Sequence, residues 1–108
     1  MKIRQWEVWK SRPPGFERDH WFVVFSGQER CDESRQILVN GLACFTLRGA
    51  LLKSEVMLNG ADGFSNATVC QCDLIYSLPR SALHDCLGPV SWERQQQIKT
   101  KLKEVFRL

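Results

Sequence analysis

Apolar residues never run for the roughly 18–20 positions that a membrane-spanning helix needs, so no bilayer-crossing segment is expected. The opening Met1-Lys2-Ile3-Arg4-Gln5-Trp6 lacks the apolar stretch and small-residue cleavage site of a secretory leader, and a cytoplasmic location is the expectation. Repeats, low-complexity tracts and an internal linker are missing as well. So are a Gly-x-Gly-x-x-Gly fingerprint and a phosphate-binding P-loop, which leaves no cofactor to expect. What is there is ordinary for a soluble protein: 44% apolar and 25% charged over 108 residues, a balance that argues against disorder. One domain over residues 1–108 is expected, large enough to bury about two-thirds of its unfolded surface without staples.

The five cysteines, Cys31, Cys44, Cys70, Cys72 and Cys86, are odd in number and come without a leader, which argues against a disulfide framework. Cys70-Gln71-Cys72 puts two thiols on one face of a strand, but zinc sites pair such cysteines with a second set. None exists, and His20 and His84 do not complete one by spacing. No metal is expected. The net charge of +3 is uneven: residues 1–91 hold ten basic and ten acidic side chains, and residues 92–108 hold five basic and two acidic. A neutral body with one basic C-terminal segment is not the basic stripe of a typical nucleic-acid binder, and a solvated helix face explains it.

Short strands follow one another along the chain. Gln5-Trp6-Glu7-Val8-Trp9 alternates in period two. Trp6 and Trp9 point to opposite faces, so one should leave the core, to mark a partner surface or sit at the core's edge. Pro13-Pro14-Gly15 fixes residues 10–19 as a loop. His20–Phe25 is the best central strand, and the polar residues 26–35 read as a second loop. Residues 36–39 and 42–47 form one strand bent at Asn40-Gly41, or two. Glu55–Leu58 is a strand closed by the turn signal Asn59-Gly60, and residues 68–76 make a longer one. Pro79–Leu83 suits a helical turn and residues 84–90 a last strand. Ser91 caps a helix in which Ile98, Leu102, Val105 and Phe106 form an apolar stripe. Lys99, Lys101, Lys103 and Arg107 cover its other faces and favour its C-terminal dipole. Six or seven strands and a terminal amphipathic helix predict a mainly β fold, a small barrel or rolled sheet plugged by that helix.

The order of these segments resembles the MazF/PemK-like toxins, the ribonuclease half of bacterial toxin–antitoxin pairs. The first strand, Gln5-Trp6-Glu7-Val8-Trp9, is similar to that family's opening strand, and His20-Trp21-Phe22-Val23-Val24-Phe25-Ser26 to its second. Cys72-Asp73-Leu74-Ile75, Pro79-Arg80-Ser81-Ala82-Leu83 and Gly88-Pro89-Val90-Ser91 match its late strand, turn and helix start. The likeness covers essentially the whole chain and is best over its last forty or so residues. It implies an SH3-like barrel (MazF/PemK/CcdB-like) with a C-terminal helix. It also implies a homodimer, a cognate antitoxin, and metal-independent cleavage of single-stranded RNA by 2′-hydroxyl attack.

Such chemistry needs two proton-transfer groups and donors for the phosphoryl charge. Where the family carries Arg-Pro at the head of the second strand, this chain has His20-Trp21. Where it carries Thr on the third strand, this chain has Phe45, with Thr46 next and Ala43 in place of the preceding Pro. Histidine transfers protons near neutral pH but lacks arginine's permanent bidentate charge. Arg18 and Arg48, each two residues from His20 and Thr46, would replace that charge. Where the carry-over fails, the expectation is a relocated catalytic set of Arg18, His20, Thr46 and Arg48, with Trp21, Lys10 and Arg12 on RNA and Trp21 stacking on a base; the other reading is that His20 and Trp21 close the barrel mouth and Thr46 is a strand former. The alternative is a catalytically inactive barrel of the same shape that binds a protein or nucleic acid through a Trp-bearing surface.

Overall fold

His20–Val24 forms the strand that its aromatic and β-branched run predicts, and its alternate side chains enter two different cores. In the computed structural model, which describes residues 1–108, seven strands and two helices follow in the order β1 (Glu7–Ser11), β2 (His20–Val24), α1 (Gln28–Asp32), β3 (Leu38–Thr46), β4 (Glu55–Leu58), β5 (Thr68–Gln71), β6 (Tyr76–Pro79), β7 (His84–Pro89) and α2 (Trp92–Phe106). All pairings are antiparallel and run β4-β5-β3-β2-β1-β7. The expected mainly β architecture with a C-terminal helix is the one observed. Its hydrogen-bonded path ends at β4 and β7; α2 packs on β4, and the 3-10 turn Gly60–Asp62 packs on β7.

β3 is the pivot. Its first half pairs with β6 and its second half with β5, both along the edge opposite β2. The single strand expected over 68–76 is therefore two strands, separated at residues 72–75 so that the chain can shift to the other half of β3. Asn40-Gly41 makes no bend: both residues lie inside β3, paired with Ser77 and Tyr76 of β6. Gly41 is needed for packing, since a Cβ there would stand 2.5 Å from Leu78 Cδ1 and 3.2 Å from Phe22 Cβ.

Both faces of the sheet are buried. Val8, Val23, Leu42, Cys44, Val56, Leu58, Cys70 and Ile98 share one core, covered by α2 and the β4–β5 arm. Trp9, Phe22, Val24, Val39, Ala43, Leu78 and Leu83 share the other. Trp6 and Trp9 do point apart, but each enters one of these cores, so neither leaves the interior. The first strand also begins later than its pattern implies, because Trp6 adopts φ 77 just before Glu7.

The helix start is as expected: Ser91 is the N-cap and its Oγ accepts from the Arg94 N–H. Of the apolar stripe, Ile98 is fully buried and Leu102 packs against the core, while Phe106 is exposed. Residues 26–35, expected as loop, contain the five-residue α1. Its carbonyls are held by one side chain. Arg80, on the helical turn expected after β6, donates from Nη1 to Cys31 O at 2.7 Å and from Nη2 to Arg30 O at 2.9 Å. It also donates from Nη2 to Glu33 O and from Nε to Gln36 O. No helix is long and apolar enough to cross a membrane.

Candidate functional site

β2 begins where β3 ends, so the head of one strand and the tail of the other share a rim of the sheet. The register Trp21↔Cys44 puts His20 beside Phe45. At this rim lies a cleft of about 820 Å³, walled by the loop before β2, the end of β3 and the Phe64–Thr68 segment before β5. Arg18, His20, Trp21, Thr46 and Arg48 all line it. The loop after Ser11 returns to the rim because Pro13-Pro14 and Gly15, at φ 92, turn it. On the far wall, an Asn59–Asp62 capping box fixes the approach, and Leu47 N–H bonds to Ala67 O at 3.0 Å.

His20 is held by aromatic rings. Its centroid lies 5.0 Å from Phe16 and 5.1 Å from Phe45, and Phe16 continues to Phe22 and Tyr76. Trp21 meets Phe64 edge-on, and the Lys10 ammonium sits 4.9 Å from the indole centroid. Lys10 reaches the site through that indole and is not itself part of the lining; Arg12 is exposed and lies outside it.

Asp19, which no sequence motif marks, also lines the cleft. Its Oδ2 lies 3.2 Å from His84 Nε2, and His84 Nδ1 lies 3.2 Å from Asp85 Oδ2. No spacing rule joins residues 19 and 84; β1 does, by pairing Lys10 with His84 on one side and Ser11 with His20 on the other. Phe16, Phe64, Ser65 and Asn66 are further lining residues without a sequence signal, since they lie on loops whose return to the rim is a matter of topology.

Cys44 also lines the cleft, but its side chain belongs to the core. It is 4% exposed and directly opposite Cys70. Hydrogen bonding with the Cys44 and Cys72 thiols, reinforced by burial, pushes the Cys70 thiol well above its ordinary value. All five cysteines are free. No group of three or more His, Cys, Asp or Glu side chains is placed to hold a metal ion.

A seven-stranded antiparallel sheet with a C-terminal helix, and a rim cleft lined by aromatic rings and two arginines, is the class that this fold and site define. No family model matches the sequence, and no curated protein does. Solved structures do. An endoribonuclease in complex with its cognate antitoxin from Mycobacterial species is 20% identical, with 98% of this chain and 96% of that chain covered and a TM-score of 0.81. The Mycobacterium tuberculosis toxin MazF-mt6 is 16% identical, covering 94% and 97%, with a TM-score of 0.78. A MazE–MazF structure from Deinococcus radiodurans is 15% identical, covering 98% and 96%, with a TM-score of 0.76. The chain has the fold of the MazF toxins.

Proposed function

We propose that this chain is the toxin of a type II toxin–antitoxin pair, a metal-independent endoribonuclease that cleaves single-stranded RNA. One observation carries the reading: Arg18, His20, Trp21, Thr46 and Arg48, drawn from segments some thirty residues apart, line a single cleft. His20 transfers a proton. The Arg18 and Arg48 guanidiniums offset the charge that develops on the phosphoryl oxygens, and the Thr46 hydroxyl donates to it. Trp21, backed by Lys10, stacks on a base. Arg12 contacts the RNA backbone outside the cleft. A cognate antitoxin silences the protein by covering the cleft, and two copies pair as a homodimer; similar solved structures include an endoribonuclease with its cognate antitoxin.

The test is long single-stranded RNA incubated in EDTA with wild-type protein, His20→Ala and the bulk-preserving His20→Gln, read by primer extension. Discrete cuts by wild type, lost in both variants with melting temperature retained, are the expected result. Cuts that survive both substitutions remove His20 from the reaction. No cuts in RNA of varied sequence, from folded and antitoxin-free protein, replace the ribonuclease with a binding module.

A further inference from the structure

Cleavage by the 2′-hydroxyl requires one group to take the O2′ proton and another to protonate the departing O5′. Within the cleft, His20 is one such group. Arginines stay protonated throughout the working range, the Thr46 hydroxyl does not titrate there, and the Cys44 thiol is buried. Two carboxylates remain on the lining, Glu17 and Asp19, and only Asp19 is anchored by an ionisable partner.

We infer that Asp19 is the second proton-transfer group of this cleft and that His84 is the positioning residue that aims it. The inference rests on the ribonuclease reading above. His84 stands between two carboxylates, Nε2 3.2 Å from Asp19 Oδ2 and Nδ1 3.2 Å from Asp85 Oδ2, and because carboxylates only accept, it is in its imidazolium form that the ring donates to both. The backbone is bent to build that bridge. Against β1, β7 skips a residue twice, with Val8 opposite Gly88, Trp9 opposite Cys86 and Lys10 opposite His84. The second residue skipped is Asp85, held at φ 50 in the left-handed region that non-glycine residues rarely adopt. Bulges at barrel rims re-aim side chains, and strain kept at such a place points to use.

The side chains of His84 and Asp19 are 48% and 41% exposed, so their pairing adds little to stability. Its value lies in geometry: with Oδ2 held by His84, Asp19 Oδ1 is left to accept from substrate. In the step, Asp19 takes the O2′ proton as the O2′–P bond forms. The P–O5′ bond breaks and O5′ takes a proton from the His20 imidazolium, leaving a 2′,3′-cyclic phosphate and a 5′-hydroxyl. The charged groups around this pair are Glu17, Arg18 and His20 on Asp19's own segment, Lys10 across the ladder from His84, Asp85, and Arg48 on the opposite wall.

The experiment is single-turnover cleavage of one RNA oligonucleotide in EDTA across pH, with melting temperatures, for wild type, Asp19→Asn, Asp19→Glu, His84→Ala and His84→Gln. Asp19→Asn should lose about 10²–10⁴-fold in rate along with the acidic limb of the pH profile, and Asp19→Glu should keep that limb at a reduced rate. His84→Ala should slow the reaction about tenfold, with His84→Gln, which retains an N–H donor, recovering part of the rate. Wild-type cleavage matched by Asp19→Asn overturns the assignment of Asp19 and leaves the ribonuclease standing. An inactive Asp19→Asn beside a His84→Ala enzyme of unchanged rate overturns the positioning role. Inactive wild type overturns the ribonuclease reading itself and this inference with it.

Discussion

Asp62 and Arg94 meet beneath the first turn of α2, with Arg94 Nε 3.7 Å from an Asp62 carboxylate that is shut off from solvent. Asp62 does more than pair. It accepts from Ser91 N–H at 2.8 Å and from Asn59 N–H at 2.9 Å, so one buried side chain ties the turn before the cleft wall to the cap of the terminal helix. Removing it orphans both amides and leaves the Arg94 charge unmatched. Asp62→Ala should lower unfolding free energy by about 2–4 kcal/mol, measured by urea denaturation. Asp62→Asn, which keeps an acceptor, should lose less.

Arg80 is a second anchor of this kind, and its geometry is more demanding. Its guanidinium holds carbonyls of Arg30, Cys31, Glu33 and Gln36 at once. An ammonium has the charge but not the planar fork. Arg80→Lys is therefore expected to destabilise nearly as much as Arg80→Ala, by about 2–3 kcal/mol. Hydrogen exchange should report the loss as faster opening of α1 amides.

That dependence explains why α1 was not legible in the sequence. Gln28–Asp32 buries only Cys31 and has no side-chain cap, so neither periodicity nor capping marks it; Arg80, some fifty residues away, holds its end. By contrast β2 and α2 carry their instructions locally, in an aromatic β-branched run and in Ser91 with Ile98 and Leu102. Asn40-Gly41 misleads because the same dipeptide serves turns and close packing, and only Leu78 across the ladder decides which. The two tryptophans mislead for a similar reason: alternation gives opposite faces, but says nothing about whether both are covered. As for the cleft, the residues at strand ends were readable because β2 and β3 were. Asp19 and His84 were not, since only the two ladders of β1, with β7 and with β2, bring them together.

Trp21 and Lys10 give a separable pair of binding predictions. Stacking of a base on an indole contributes about 1–3 kcal/mol, and a cation over an exposed ring about 0.5–1 kcal/mol. Trp21→Ala should weaken binding of an oligonucleotide that carries deoxyribose at the cut site by about 5–150-fold. Lys10→Ala should weaken it a few-fold. Fluorescence anisotropy at fixed salt measures both.

The thiols should react unequally. Cys31, Cys44, Cys70 and Cys72 are buried in the native protein, leaving Cys86 as the exposed one. Partial burial raises even that thiol, with Glu7 adding to the effect and the Gly88 N–H opposing it. A thiol held above its ordinary value carries less thiolate at a given pH below it. Titration with a disulfide reagent should consume one thiol per native chain, slowly at neutral pH and faster as pH rises, and all five after unfolding.

The two arginines of the cleft share its lining with two carboxylates, Glu17 and Asp19, and the chain's charge excess lies instead in residues 92–108. An approaching polyanion thus meets little long-range pull toward the rim. Encounter should be slow by electrostatic standards and only weakly sensitive to ionic strength, with a log–log salt slope near about −2, that of a few phosphates on a single strand. On the ribonuclease reading, such a charge layout would leave selection to fit within the cleft, after contact has been made, and not to capture from a distance.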